Sequence, residues 1–289
     1  MSSNSDEVIL GLLHDYVFKN VFGVDGHEDV LKFLVNTVFT DKNFLPVKKV
    51  TLKNNELVRE TNWQKTAVLD VRAEDEKGRS LNIEVQVQDN DNFRGRSLSY
   101  WSRLHILQEK KGELYKELQP TICINFLNFN LFDDDKLHHC VMAKDIDEEC
   151  QIFSQDMQIH YIELKKIKKT ETKLEQLAYI IKNLKEDTRE SMENLLIKDP
   201  YYEQIQDYFE NCVQDEQTRY EVIVRERNMK DYAGGLYAAQ QRGIEQGIEQ
   251  GAHEKAIETA LLMKQSNVSL EQIVKFTGLT EEEVLLIHN

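Results

Sequence analysis

Residues 68–88 constrain this chain more than any other stretch. Two runs of alternating side-chain character meet there at Glu76-Lys77-Gly78. A three-residue loop with glycine in its last position is a common hairpin connection, because that residue takes a positive φ. Such a loop sets Asp75 against Arg79 and fixes the register behind it. Leu69 then faces Val85, Val71 faces Ile83 and Ala73 faces Leu81, all on one apolar side. On the other side Val68 meets Gln86, Asp70 meets Glu84 and Arg72 meets Asn82. A one-residue slip would mix the two sets, so the clean segregation supports the register.

That register has a chemical consequence. Like charges directly opposite one another destabilise a sheet. Two carboxylates so placed need a cation, a shared proton or an arginine between them. A small cluster of hard oxygen ligands suits Mg²⁺ or Mn²⁺. The competing possibility is an ordinary solvated strand face, with Arg72 pairing with either acid.

Around the hairpin the pattern is that of an α/β chain. Val17, Phe18, Val21 and Phe22 recur at helical spacing, Gly23–Gly26 interrupts, and Val30, Leu31, Phe33, Leu34 and Val38 continue in a second helix. Pro46 opens an extended stretch over 47–52, and residues 66–75 and 79–88 form the hairpin strands. Residues 93–112 read as a long helix whose core side includes Leu98, Trp101 and Leu104. Residues 121–129, after Pro120, form a nearly continuous apolar run typical of a buried strand. A further strand is expected over 158–164. From about Glu171 helical segments dominate, with a long charged helix across 215–264 and a helical hairpin at 269–288. The expected division is 1–167 for the α/β domain and 168–289 for the helical region.

The net charge is −15, unevenly spread. The first 130 residues hold 19 acidic and 17 basic side chains, against 32 and 19 in the remainder. Any polyanion is therefore expected at the front half. Cys123, Cys140, Cys150 and Cys212 are far apart and make no C-x-x-C pair, as expected of reduced thiols. No apolar run approaches the roughly 18–20 residues of a membrane span. The start, MSSNSDEV, is polar and acidic, unlike a secretory signal. A cytoplasmic protein without membrane attachment is expected.

Asp70 followed by Glu84-Val85-Gln86 on the next strand resembles the D…(E/D)-x-K signature of PD-(D/E)xK nucleases. The ordered blocks DYVFKNVFG (15–23), LNIEVQVQ (81–88), RSLSYWSR (96–103), GELY (112–115) and HYIEL (160–164) are more specific. Together they resemble the PD-(D/E)xK family transposases, also called recombination-promoting nucleases, over roughly residues 14–170. The resemblance implies a restriction-endonuclease-like mixed sheet flanked by helices. It implies a metal-dependent DNA endonuclease linked to transposition or recombination. Asp70 and Glu84 would hold Mg²⁺ or Mn²⁺, with the Val85 carbonyl as third ligand. Gln86 occupies the position of the superfamily's lysine. It can donate a hydrogen bond but carries no charge, which leaves that role open to Lys65 or Lys19. It also keeps open a degenerate nuclease fold that binds nucleic acid or protein without cutting.

Supporting residues lie on both sides of the hairpin. Asp15 either adds an acid to the same site or simply favours a helix start. Arg94 lies beside Arg96, Tyr100, Arg103 and Lys110, which share a stripe suited to a phosphodiester backbone, or else form a solvated helix face. Near the C-terminus Gly243, Gly247 and Gly251 recur every fourth residue, consistent with homo-oligomerisation through close helix approach or with a flexible connector. Ser269-x-x-Gln272 and Thr280-x-x-Glu283 are capping-box patterns. The second helix starts Glu281-Glu282-Glu283, which disfavours DNA reading.

Overall fold

The structure is a computed structural model that describes residues 9–54, 56–57, 67–68, 70–89, 92–109, 114–147 and 151–287. Lys65, Leu69, Lys110, Lys111, Gly112 and Cys150 lie outside the described residues. The chain divides into two compact units, Met1–Ile223 and Val224–Asn289.

The first unit opens with helices α1 (Asp15–Phe22) and α2 (Glu28–Asp41). Strands β1 (Val50–Leu52), β2 (Glu56–Leu57), β3 (Ala67–Val68), β4 (Val71–Asp75) and β5 (Ser80–Gln86) follow. Helix α3 (Phe93–Ile106) connects to β6 (Thr121–Leu127), then β7 (His138–Lys144) and β8 (Ile152–Glu163). Helices α4 (Lys173–Asn183), α5 (Arg189–Leu196) and α6 (Pro200–Gln214) complete the unit with the start of α7 (Glu216–Gln265).

Six strands form one mixed sheet in the order β1-β4-β5-β6-β8-β7. The inner strands β5, β6 and β8 are parallel and the outer pairs antiparallel. The hairpin has the expected register, with Val71 against Ile83, Arg72 against Asn82 and Ala73 against Leu81. Its loop is closed by Gly78 at φ 79° and by Asp75, whose Oδ1 accepts from the Lys77 and Arg79 amides at 2.9 Å each.

The strand expected over 66–75 is broken at Asp70, and Val68 pairs with Glu56 in a separate two-stranded sheet instead of facing Gln86. Asp70 Oδ2 accepts the Val85 N–H at 2.9 Å, so a side chain takes the place of a backbone partner and the main chain leaves the sheet. Strand β7 is an element the pattern did not reveal, and β8 starts six residues before the expected strand.

Both sheet faces are covered. Leu81, Ile83 and Val85 of β5 join Ile122, Ile124 and Phe126 of β6 in the large core with α1, α2, α4 and α6. The side chains of Phe18, Leu34, Ile181, Tyr202 and Phe209 are all buried there. Helices beyond residue 168 thus contribute to the same hydrophobic core as the sheet. The opposite face carries a smaller cluster of Phe93, Leu104, Cys123, Leu127, Phe129, Ile159 and Tyr161 beneath α3. Burial on both faces explains why 121–127 is apolar without alternation.

Three polar pins fasten α3 to this face. Trp101 Nε1 donates to the Thr121 carbonyl at 3.1 Å, His105 Nδ1 lies 3.1 Å from Thr121 Oγ1, and Ser97 Oγ lies 2.6 Å from the Tyr161 hydroxyl. The inward stripe is Phe93, Ser97 and Leu104. Leu98, expected to face the core, is 46% exposed, because it sits one helical step of about 100° from Ser97.

In the second unit α7 packs through Ala260 against Ile273 of α8 (Leu270–Thr277), Leu279, and Val284 of α9 (Glu281–Leu286). The Thr280–Glu283 capping box is present, whereas Ser269 makes no side-chain cap bond. A Cβ built on Gly243, Gly247 or Gly251 meets nothing within 4 Å, so packing within the chain does not require these glycines. No helix of the described residues is long and apolar enough to cross a membrane.

Candidate active site

Alternation along β5 sends Asn82, Glu84 and Gln86 to the face that α3 covers. Asn82 and Glu84 are 1% and 2% exposed. Asn82 Nδ2 donates to Glu84 Oε1 at 3.0 Å, and Gln86 Nε2 donates to Glu84 Oε2 at 3.4 Å. Asp70 immediately precedes the Val71–Ile83 pair, and its bond to the Val85 amide brings it beside Glu84.

Two acids this close under a helix perturb one another. Burial lifts the Asp70 carboxyl well above the usual range, and the Glu84 charge lifts it further. The Val85 amide and Lys19 pull the other way, while Asp15 adds to the rise. Burial likewise pushes Glu84 up to about 7, although Asn82, Arg96 and Gln86 all favour its charged form. Carboxyl groups that hold their protons more tightly than usual, because charge is costly where they lie, are typical of sites built for chemistry.

Asp15 is the first residue of α1, and His14 is the N-cap. Asp15 Oδ1 accepts from the Tyr16 amide at 2.7 Å and lies 3.1 Å from His14 Nδ1. Among the described residues no group of three or more His, Cys, Asp or Glu side chains forms a ready cation cage. Asn82 Oδ1, in contact range of Glu84 through its own amide, is buried without a hydrogen-bond partner.

Helix α3 brings its basic residues to different places. Arg96 is half-buried, lies 4.9 Å over the Phe93 ring and donates through Nη2 to Gln86 Oε1. Arg94 is exposed, donates to the Leu131 carbonyl and lies 5.2 Å over Phe132. Burial raises the Tyr100 phenol pKa, with Glu84 and Asp70 adding to the rise and Arg96 and Arg103 opposing it. Tyr100 therefore belongs to the surroundings of the carboxylates. Arg72 turns elsewhere and donates to the Asn54 carbonyl at 3.3 Å.

Two neighbours of the site gave no signal in the sequence. In the parallel register Cys123 stands beside Asn82, and Asn125 stands beside Glu84 with its Nδ2 donating to the His160 carbonyl at 3.1 Å. On the other face Asp41 Oδ2 lies 2.7 Å from His138 Nδ1, and His138 Nε2 lies 2.9 Å from His160 Nδ1. These partners are up to 97 residues apart, beyond any local pattern.

A family model described as PD-(D/E)XK nuclease family transposase matches residues 12–239. No curated protein and no solved structure matches the chain.

Proposed function

This chain belongs to the PD-(D/E)XK nuclease family transposases, and on that basis we propose that it is a divalent-metal-dependent DNA endonuclease acting in transposition or recombination. A nuclease- or transposase-related role follows from the family itself; hydrolysis, metal and substrate are our reading. The observation that carries it is the meeting of Asp70 and Glu84 in a buried site, where burial disfavours both charges and the Glu84 charge opposes that of Asp70.

The residues fit a hard divalent cation. Two carboxylates supply oxygen ligands, and a cation would relieve the cost of ionising both. The orphaned Asn82 Oδ1 offers another oxygen acceptor beside Glu84. In this reading Asp70, Glu84 and the Val85 carbonyl hold Mg²⁺ or Mn²⁺, with Asp15 as an additional outer acid. The ion supplies Lewis acidity at the scissile phosphate and lowers the pKa of the attacking water. The chain's own part is orientation. Gln86 donates from Nε2 and holds the water toward Glu84, while Arg94, Arg96, Tyr100, Arg103 and Lys110 receive the phosphodiester backbone. Self-association through α7 belongs to the same reading, supported by exposed Met229, Leu236, Ile244 and Ile248. Sedimentation velocity over a range of concentrations tests it.

Nicking of supercoiled plasmid with Mg²⁺ or Mn²⁺ tests the main proposal. Cleavage is expected for the wild type and is expected to vanish with EDTA, Asp70→Ala or Glu84→Ala. An intact plasmid with folded wild-type protein under both metals would overturn hydrolysis and favour a non-cutting, nucleic-acid-binding role.

A further inference from the structure

Gln86 stands where the superfamily's signature has a lysine, so the strand itself brings no positive charge to the carboxylates. The structure shows a cation arriving from a different element. Asn92 caps α3 at φ 55° and accepts from the Gly95 amide, and Asp89 Oδ1 accepts from the Phe93 amide at 3.2 Å. Arg96, in the first turn of α3, reaches Gln86 at the end of β5. The Phe93 ring supports its guanidinium from one side.

The contacts form a directed chain. Arg96 Nη2 donates to Gln86 Oε1, and Gln86 Nε2 donates to Glu84 Oε2. A guanidinium can only donate, so it leaves the Gln86 amide a single orientation: carbonyl toward Arg96 and NH₂ toward the carboxylate. A glutamine without that partner could flip and present its oxygen to Glu84, where it would repel. Arg96 Nε is also buried with no acceptor. A buried donor left unmet is destabilising, and a purely structural arginine gives no reason to retain it. A phosphate oxygen entering beside Gln86 would satisfy it.

We propose that Arg96 is the positioning residue of this site, locking Gln86 as a donor and holding, one amide away from Glu84, the positive charge that the strand position lacks. This inference rests on the hydrolytic reading above. It assigns Arg96 a role distinct from that of Arg94, which donates to the Leu131 carbonyl and lies over Phe132. It also places the missing charge on α3 in preference to Lys19, whose influence reaches Asp70 from α1.

The test combines plasmid nicking at saturating Mn²⁺ with calorimetric measurement of Mn²⁺ binding. The variants are Arg96→Ala, Arg96→Gln, Gln86→Lys and the double variant Gln86→Lys/Arg96→Ala. Loss of a donor aimed at developing charge typically slows a reaction by about 100-fold or more. Arg96→Ala and Arg96→Gln should both show a loss of that order while Mn²⁺ affinity stays within about threefold of wild type. Arg96→Gln keeps an amide donor and a similar length, so it serves should Arg96→Ala not fold. Gln86→Lys places the cation directly, and in the double variant it should restore at least a tenth of wild-type nicking. A structural arginine would not be rescued this way. Wild-type nicking in both single Arg96 variants, parallel loss of Mn²⁺ binding, or failure of Gln86→Lys to rescue a folded, Mn²⁺-binding double variant each overturns the inference alone. A wild-type chain that binds Mn²⁺ but does not nick overturns the hydrolytic reading and this inference with it.

Discussion

Glu84→Gln should stabilise the metal-free protein above pH 7 while changing little near pH 4. Burial raises the Glu84 carboxyl from its ordinary 4.5 to about 7. The folded site keeps its proton across that window, whereas the unfolded chain has released it. The folded state thus binds more protons, and stability falls as pH rises from 4.5 toward 7. The contribution is fully present below 4.5 and fully lost above 7. A tenfold difference in proton affinity between the two states corresponds to about 1.4 kcal/mol, so the loss approaches about 3 kcal/mol. Glutamine retains the acceptor for Asn82 and never ionises, so the variant escapes this loss. Its advantage over wild type should grow by about 3 kcal/mol between pH 4.5 and 7 and then level off. For a folding unit of this size that is a rise in Tm of roughly 6–12 °C at pH 8. The assay is thermal unfolding by circular dichroism in EDTA at pH steps from about 4 to 8. His138 and His160 titrate in an overlapping range, but both proteins carry them, so they cancel in the difference. An advantage that does not grow with pH, or a variant less stable than wild type at pH 8, refutes the view that burial dominates the titration of Glu84.

Other measurements follow from the same geometry. Millimolar Mn²⁺ should raise the Tm of the wild type at pH 8 and should raise that of Asp70→Ala or Glu84→Ala much less, because ligand binding to the folded state alone stabilises it. Burial lowers the His160 pKa to about 3 and also lowers that of His138. The unfolded chain then binds more protons below pH 6.5, so these groups contribute stability that is present above 6.5 and lost as pH falls. His160→Phe should flatten the acid limb of a urea-unfolding profile, at a cost near pH 7 of about 1–3 kcal/mol for the His138 Nε2 left without a partner. Glu163 is fully buried, accepts from the Leu131 and Phe132 amides and pairs with Lys166 at 2.7 Å. Glu163→Leu should therefore destabilise the unit by about 3 kcal/mol, read by urea denaturation, because it removes the nearer carboxylate of the buried Lys166, leaving Asp134 at 3.5 Å, and the acceptor of two amides. Gly78→Ala should cost about 1 kcal/mol or somewhat more in the same assay, since φ is 79° and a Cβ there finds room but not a comfortable backbone.

Parts of this site were legible because they are local. The three-residue loop with Gly78 sets a register that points Asp70 toward Glu84 and separates Val71, Ala73, Leu81, Ile83 and Val85 onto the apolar face. Helices α1 and α2 announce themselves by apolar spacing, and Gly23–Gly26 by interruption. Strand β7 was not legible. Its HHCVMAK run alternates weakly because most of its side chains are only partly buried at the sheet edge. The exposure of Leu98 is hidden from the sequence for a related reason: the inward stripe of α3 depends on where the sheet lies, not on which side chains are apolar.

The sequence by itself thus determined which residues could form the hairpin, which face would be greasy, and that two carboxylates would have to share a place. Those outcomes depend on neighbours within some twenty positions, where loop geometry and side-chain alternation act directly. Only the tertiary structure decided what surrounds the carboxylates. It broke the strand at Asp70 by giving its carboxylate the Val85 amide, and it lowered α3 over Glu84 so that burial raises the pKa. It also swung Arg96 back onto Gln86 and tied Asp41 to His138 and His160. Each of these rests on contacts between elements distant in the chain or turned onto one another. Burial and charge are properties of the assembled surroundings, and no single segment carries them.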